Sequence, residues 1–485
     1  MATTFSGRAP DLRILDDQLR SVVEGRHTTR GRALIMSGRR RVGKSRLVQE
    51  FCDRSKLPYV IFQATRGRAP AAERRDFVEA TVCAGLPGAA LVQGSEPADW
   101  NGALRALATA TADSPCIVVL DEVPWLIEQD QEFEGALQTV WDRFLSAQPI
   151  LLILVGSDLT MMEALQEYGR PFFGRSASMT IRPLSLADVA EMTRLPAADA
   201  VDALLITGGF PEIVQSWEPE SSRLDFLRRS LDSPLSPLLA AGELSLLGEF
   251  PAGTHARVVL EVIGAGERTF GKIAEKAGNN AALPSGTLAP ILKTLVEKRV
   301  VAAEVPLSTK PEDKNKRYRV ADHYLRFWLS FLQKAVADSE RGRPDVALRR
   351  IERSWTAWRG RAVEPIIRES MARALPNDRW PDTEEVGGWW NRQNNPEIDL
   401  VGADRAPPAK HIHFVGSIKW LEQRRFDRHD YDELTRGAES VPGVTGRTAR
   451  VAVSRSGFEP GLPVEQWGPD DLLAAWRAVP GQAAF

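Results

Sequence analysis

Cysteine is scarce: Cys52, Cys83 and Cys116 are the only three in a chain of 485 residues, widely spaced and mostly beside apolar neighbours. This argues against a disulfide framework or a cysteine-rich zinc site and fits a reducing cytoplasm. Long apolar runs are missing as well. The best, Ile150 to Val155, falls far short of the roughly 20 residues of a membrane span and reads as a buried strand. The opening residues, MATTFSGRAPDLR, hold no hydrophobic signal core, so a cytoplasmic protein without a membrane partner is expected. Neither sign of charge dominates. A formal charge of -2 argues against a globally basic nucleic-acid binder, while leaving room for a local basic surface. No repeat or low-complexity tract occurs. With 43% hydrophobic and 26% charged residues this is the composition of a soluble globular protein. The chain is too long for one core, and one domain per about 150 residues suggests roughly three.

What is present begins with ALIMSGRRRVGKSRLVQEF, Ala33 to Phe51. An apolar run suited to a buried parallel strand meets Gly38, then Arg39, Arg40, Arg41 and Val42, then Gly43-Lys44-Ser45 and Arg46 at the start of an amphipathic helix. This is the spacing of a phosphate-binding loop. Glycines let backbone N–H groups converge on phosphate oxygens, Lys44 reaches the β- and γ-phosphates, and the Ser45 hydroxyl can ligate Mg²⁺. ATP and Mg²⁺ are therefore the expected cofactors.

A strand is expected at Tyr59 to Phe62. Cys116-Ile-Val-Val-Leu-Asp-Glu then delivers Asp121 toward Mg²⁺ and Glu122 toward the attacking water, as the strand-borne carboxylates of nucleotide hydrolases do. The strand Ile150 to Val155 ends in Gly156-Ser157-Asp158. There a short polar side chain either touches the γ-phosphate or caps the helix starting near Leu159. Arg175 precedes an expected strand at Met179 to Ile181. It is either a surface arginine or a source of positive charge for the transition state, from its own subunit or a neighbour.

From Leu184 to about Leu246 the pattern is helical, broken at Gly208-Gly209-Phe210-Pro211. Between Thr254 and Val320 three helices precede two strands around the loop STKPEDKNK, the winged-helix order, whose third helix commonly enters the major groove. Pro290 is expected to set the start of that third helix near Thr287, because proline fits only a first turn. Lys293, Lys298, Arg299, Lys310, Lys314, Lys316 and Arg317 would contact phosphates of duplex DNA. Otherwise the winged helix packs on protein alone. The aromatics of YLRFWLSFL and RRIERSWTAWRG read as core.

In the last part, Glu364 lies in a helical pattern, Glu397 and Asp399 in EIDL, and Lys419 at the end of HIHFVGSIKW. An acid on a helix, an aspartate on a strand and a lysine on the next strand would place metal ligands and a charge stabiliser around one scissile phosphate. Glu397 is expected on the strand face opposite Asp399. His411 and His413 lack the further ligands a zinc site needs.

The order Gly7-Arg8, phosphate loop, LDEVPWL, VGSDLTMM, FFGR, GGFP, winged helix, YLRFW, EIDL and IKW resembles the archaeal-type ATPases of the AAA+/STAND superfamily. Those carry a winged helix and a C-terminal domain of uncharacterised family similar to PD-(D/E)xK nucleases. The resemblance implies Lys44 and Ser45 on phosphate and Mg²⁺, Asp121 on Mg²⁺, Glu122 as water activator and Ser157 as sensor. It also implies Arg175 as the arginine of the GR motif and Gly7-Arg8 near adenine. One departure stands out: Ser417-Ile418-Lys419 has serine where an acid is expected two before the lysine, which puts nuclease activity in doubt.

The expected fold is α/β. A P-loop core with a parallel sheet (1–183) and a helical lid (184–250) precede a winged helix (251–322), a helical linker (323–358) and a nuclease-like α/β domain (359–485). The expected function is Mg²⁺-dependent ATP hydrolysis coupled to the winged helix and last domain on DNA. The alternatives are an ATP-gated scaffold with a protein partner or homo-oligomer, and an active DNA endonuclease.

Overall fold

The computed structural model describes residues 5–25, 30–111, 114–250, 253–278, 281–311, 315–393 and 395–478. Two compact units, Met1–Pro183 and Leu184–Phe485, are resolved by their internal contacts. No helix among the described residues is long and apolar enough to cross a membrane.

The first unit is built on five strands: β1 (Arg32–Ser37), β2 (Tyr59–Gln63), β3 (Cys116–Asp121), β4 (Ile150–Gly156) and β5 (Ser176–Thr180). They pair in parallel in the order β2-β3-β4-β1-β5. Every residue of β3 and β4 is buried, as the unbroken Ile/Val/Leu runs require of central strands covered on both faces. Because β4 separates β1 from β3, the residues that leave the C-terminal ends of these three strands share one crevice. β5 begins earlier than the apolar residues Met179 and Ile181 suggested. It is an edge strand, so Ser176 and Ala177 can pair with β1 without being buried.

In the second unit, helices Leu186–Thr193, Ala197–Thr207, Pro211–Gln215, Arg223–Asp232 and Pro237–Glu249 come first. Helices His255–Gly264, Phe270–Ala277 and Ser285–Glu297 then lead into β6 (Val301–Glu304) and β7 (Arg317–Val320), an antiparallel pair with Glu304 opposite Arg317. The third helix starts at Ser285 and carries Pro290 in its interior. The proline leaves the Gly286 carbonyl without its intrahelical donor, and both residues are exposed, so water can serve instead. Phe327, Trp328, Phe331 and Trp355 are buried, so these aromatics build the core. The unit ends in a mixed sheet of β8 (Glu385–Trp390), β9 (Glu397–Ala403), β10 (Ile412–Lys419), β11 (Ala449–Ser454) and β12 (Glu465–Trp467), ordered β12-β11-β10-β9-β8.

A buried ion cluster ties early helices of this unit to its late strands. Arg359, with no exposed side chain, binds Asp202 at 2.8 Å, Glu422 at 2.6 Å and the Trp420 carbonyl at 3.3 Å. Arg455 adds Asp199 at 2.6 Å and Asp202 at 3.4 Å.

Candidate active site

The loop after β1 turns on residues that other side chains would not permit. A Cβ on Gly38 would lie 2.6 Å from the Ile181 carbonyl oxygen, and Gly43 has φ +90° at the mouth of helix Lys44–Ser55. Lys44 is buried, and its Nζ donates to the carbonyls of Gly38 at 2.6 Å and Arg39 at 3.1 Å. Burial drives its pKa down to about 8, with Glu122 and Asp121 pulling upward and Arg40 adding to the fall. Arg40, Arg41, Ser45 and Arg46 are exposed, whereas Val42 is buried.

The Ser45 hydroxyl donates to Asp121 Oδ2 at 2.8 Å, and the Glu122 amide donates to Asp121 Oδ1 at 2.9 Å. Asp121 is thus held from both sides by neutral donors. Glu122 adopts φ 57°, ψ 43°, the left-handed region that side chains other than glycine enter uncommonly. The Ser157 hydroxyl lies 3.1 and 3.0 Å from its two carboxylate oxygens. Helix capping falls to Asp158, which accepts from the Met161 amide at 3.0 Å. The strand ends therefore bring Lys44, Ser45, Asp121, Glu122 and Ser157 into one place.

Arg8 lies apart from that cluster of side chains. It is buried and donates to the carbonyls of Val42 and Arg182, and Gly7 before it has φ +76°. It props the phosphate loop through that loop's backbone. Arg175 stands before the first residue of β5, which pairs with Ala33 near the start of β1. That is the opposite end of the sheet from Gly38, on the order of 15 Å along the strands. There it forms a two-pronged pair with Asp142 at 2.8 and 2.8 Å. A role for Arg175 at the nucleotide of its own chain is not compatible with this position.

Two expectations for the C-terminal segment are corrected. Glu397 shares the face of Asp399, as a two-residue spacing in an extended strand requires, and its guanidinium partner is Arg317. Lys419 is engaged by Asp430 at 3.2 Å and Glu433 at 3.3 Å, from helix Arg428–Ala438. Ser417 donates to Asp399 Oδ2 at 3.1 Å, beside the Ile418 amide at 2.8 Å. Glu364 receives Arg368 Nη2 at 3.1 Å. Burial raises the pKa of both acids, opposed chiefly by Arg368 at Glu364 and by the Ile418 amide at Asp399. His413 meets Thr383 at 2.7 Å. Among the described residues no group of three or more His, Cys, Asp or Glu is arranged to hold a metal ion. The sequence reading missed Arg368, although its position four residues after Glu364 in a helix was a usable signal.

The segment expected to form a winged helix differs from expectation in its basic residues. Arg317 is buried, so it is not a surface phosphate contact, and Lys293 sits 3.7 Å from Glu297. Lys298, Arg299, Lys310 and Lys316 are exposed, and Lys314 lies outside the described residues. The exposed side of helix Ser285–Glu297 offers Ser285, Gly286, Ala289, Pro290, Lys293, Thr294 and Glu297.

Residues 328–430 match the family described as archaea bacterial proteins of unknown function. An uncharacterised protein of Methanocaldococcus jannaschii is 23% identical over 444 residues, covering 88% of this chain and 91% of its own. Among solved structures, a Walker-type ATPase of Pyrococcus abyssi aligns at 17% identity over 67% of this chain and 96% of its own, with a TM-score of 0.46. The ORC2 protein of Aeropyrum pernix, in ADPNP–ADP complexes, aligns at 14% identity over 70% and 97%, with a TM-score of 0.47. The family match begins inside the segment expected as a linker and ends within the expected C-terminal domain of uncharacterised family. Before it in sequence stands the five-stranded parallel α/β sheet with its glycine loop after β1.

Proposed function

We propose that this chain is a Mg²⁺-dependent ATPase that couples its nucleotide state to the winged helix and C-terminal domain. One observation carries the reading: Lys44, Ser45, Asp121, Glu122 and Ser157 converge at adjacent strand ends. Lys44 now rests on two carbonyl oxygens, weaker partners than phosphate, and a triphosphate would draw it away. Ser45 and Asp121 supply a hydroxyl and a carboxylate, the donor set of a Mg²⁺ bound with nucleotide, and the ion would neutralise phosphate charge there. Glu122 takes the proton of the attacking water, oriented by the Ser157 hydroxyl, and Arg175 acts, if on a nucleotide, on that of a second copy.

Duplex DNA is the proposed partner, through the exposed cations Lys298, Arg299, Lys310 and Lys316. A second reading, an ATP-gated scaffold without DNA contact, draws on the pairing of Arg317 and Lys293 with acids. Steady-state ATP hydrolysis titrated with duplex and single-stranded DNA separates them. Stimulation supports the first, and indifference to both supports the second. No Lys44-dependent hydrolysis under any condition would refute the ATPase.

A further inference from the structure

A metal ion at Glu364 and Asp399 is what the nuclease resemblance implies, and the residues present do not fit one. Oε2 of Glu364 already carries the Arg368 guanidinium, a charge that a metal would have to displace, while Oδ2 of Asp399 accepts from neutral donors, the Ser417 hydroxyl and the Ile418 amide. Lys419 has turned to other acids. In place of a metal the structure puts guanidinium groups. Arg368 spans from Glu364 to the Asp399 carbonyl at 2.9 Å and lies 3.5 Å from Glu304. Room for it is cut into the sheet, because a Cβ on Gly388 would lie 2.6 Å from Arg368 Nη2.

Two further arginines come from the winged helix. Arg317 of β7 places both terminal nitrogens on the Glu397 carboxylate, one at 3.2 Å, and Arg268 lies 3.6 Å from the same group. The Arg317 guanidinium also stacks 4.2 Å from the centre of the Trp390 ring. Two further hydrogen bonds run alongside: the Trp390 indole Nε1 donates to the Asn315 carbonyl at 2.9 Å, and the Leu307 amide to the Gly388 carbonyl at 2.9 Å. A planar two-pronged guanidinium matches a carboxylate in a way that a spherical cation does not.

We propose that this acidic cluster is a guanidinium receptor: Arg368, Arg317 and Arg268 neutralise the charges that a metal would otherwise neutralise, and the site fastens the wing to the C-terminal sheet. The cluster is then a lock between two parts of the second unit, and β7 is withheld from phosphate while it is closed. The inference stands whether or not the protein binds DNA.

Manganese titration of the nucleotide-free full chain, followed by electron paramagnetic resonance, tests the first half. Wild type and Asp399→Ala should bind equally, while Arg317→Ala/Arg368→Ala should gain about one ion per chain that a further Asp399→Ala removes. A wild-type ion lost in Asp399→Ala, or no gain in the double variant, overturns the proposal. Glu397→Gln keeps the side-chain shape and tests the second half by hydrogen exchange. The amides of β7 should exchange at least tenfold faster than in wild type while those of β1 stay unchanged. Unaltered protection of β7 overturns the lock.

Discussion

Asp121 and Asp399 are held almost alike, each by a serine hydroxyl and a backbone amide: Ser45 and Glu122 for one, Ser417 and Ile418 for the other. What differs is the company of their cations. Lys44 leans on carbonyl oxygens, so its charge is still uncompensated by any anion bound to it directly, and a polyphosphate arriving there gains the full attraction. Around Asp399 each nearby arginine already grips a carboxylate, Arg368 on Glu364 and Arg317 on Glu397. A charged ligand there would have to break a pair before making one. The lesson is that a functional site is recognised less by its acids than by whether its counter-charges are already matched.

The largest expected effects fall on the open site. Lys44→Ala should abolish nucleotide binding in equilibrium titration with a slowly hydrolysed ATP analogue. Glu122→Gln should retain the analogue and slow turnover by about 10²-fold or more. Wild-type turnover by Glu122→Gln would erase the distinction between the two sites. On the closed site, wild type should leave plasmid DNA uncut with either Mg²⁺ or Mn²⁺, and Asp399→Ala should change nothing. Cutting that Asp399→Ala abolishes would make the second site as open as the first.

A graded effect follows from pH. Lys44 must carry its proton to meet phosphate, and burial has brought its pKa in the free protein to about 8. Analogue affinity should therefore be flat below that pH and fall as pH rises above it, approaching tenfold per unit until the pKa of the bound form is reached. Lys44→Arg should flatten the curve, and an unchanged wild-type affinity at pH 9 would contradict it. The smallest effect belongs to Arg175. Because it lies at the far end of the sheet, Arg175→Ala should leave analogue affinity within about twofold of wild type. A tenfold loss would show that it reaches a nucleotide, that of its own chain if the loss is independent of protein concentration and that of a second copy if the loss grows with concentration.

Much of the open site was legible because its residues are local: the spacing from Gly38 to Ser45 encodes loop and helix together, and apolar runs deliver Asp121 and Ser157 at strand ends. The closed site was not, because its partners arrive from distant segments that no local pattern aligns. Arg317 meets Glu397 across 80 residues, and Asp430 and Glu433 capture Lys419 from a helix that follows it. Strand periodicity puts Glu397 on the face of Asp399, contrary to the expectation of opposite faces. Arg175 was ambiguous because a sequence marks the start of a strand without saying which end of the sheet carries the chemistry.

The Arg359 cluster has a mechanical consequence. Its arginine has no exposed surface and Asp202 only 4%, so separating Asp202 from Arg359 and Arg455 together would strand a buried charge at a cost of about 3–5 kcal/mol. A joint that expensive does not slip. Helix Ala197–Thr207, which carries Asp202, and the segment after β10, which carries Trp420 and Glu422, should turn as a single crank, with no clutch between them. Any torque applied to that helix would then reach the late sheet undiminished, and the throw of the stroke would be set by the length of the arm.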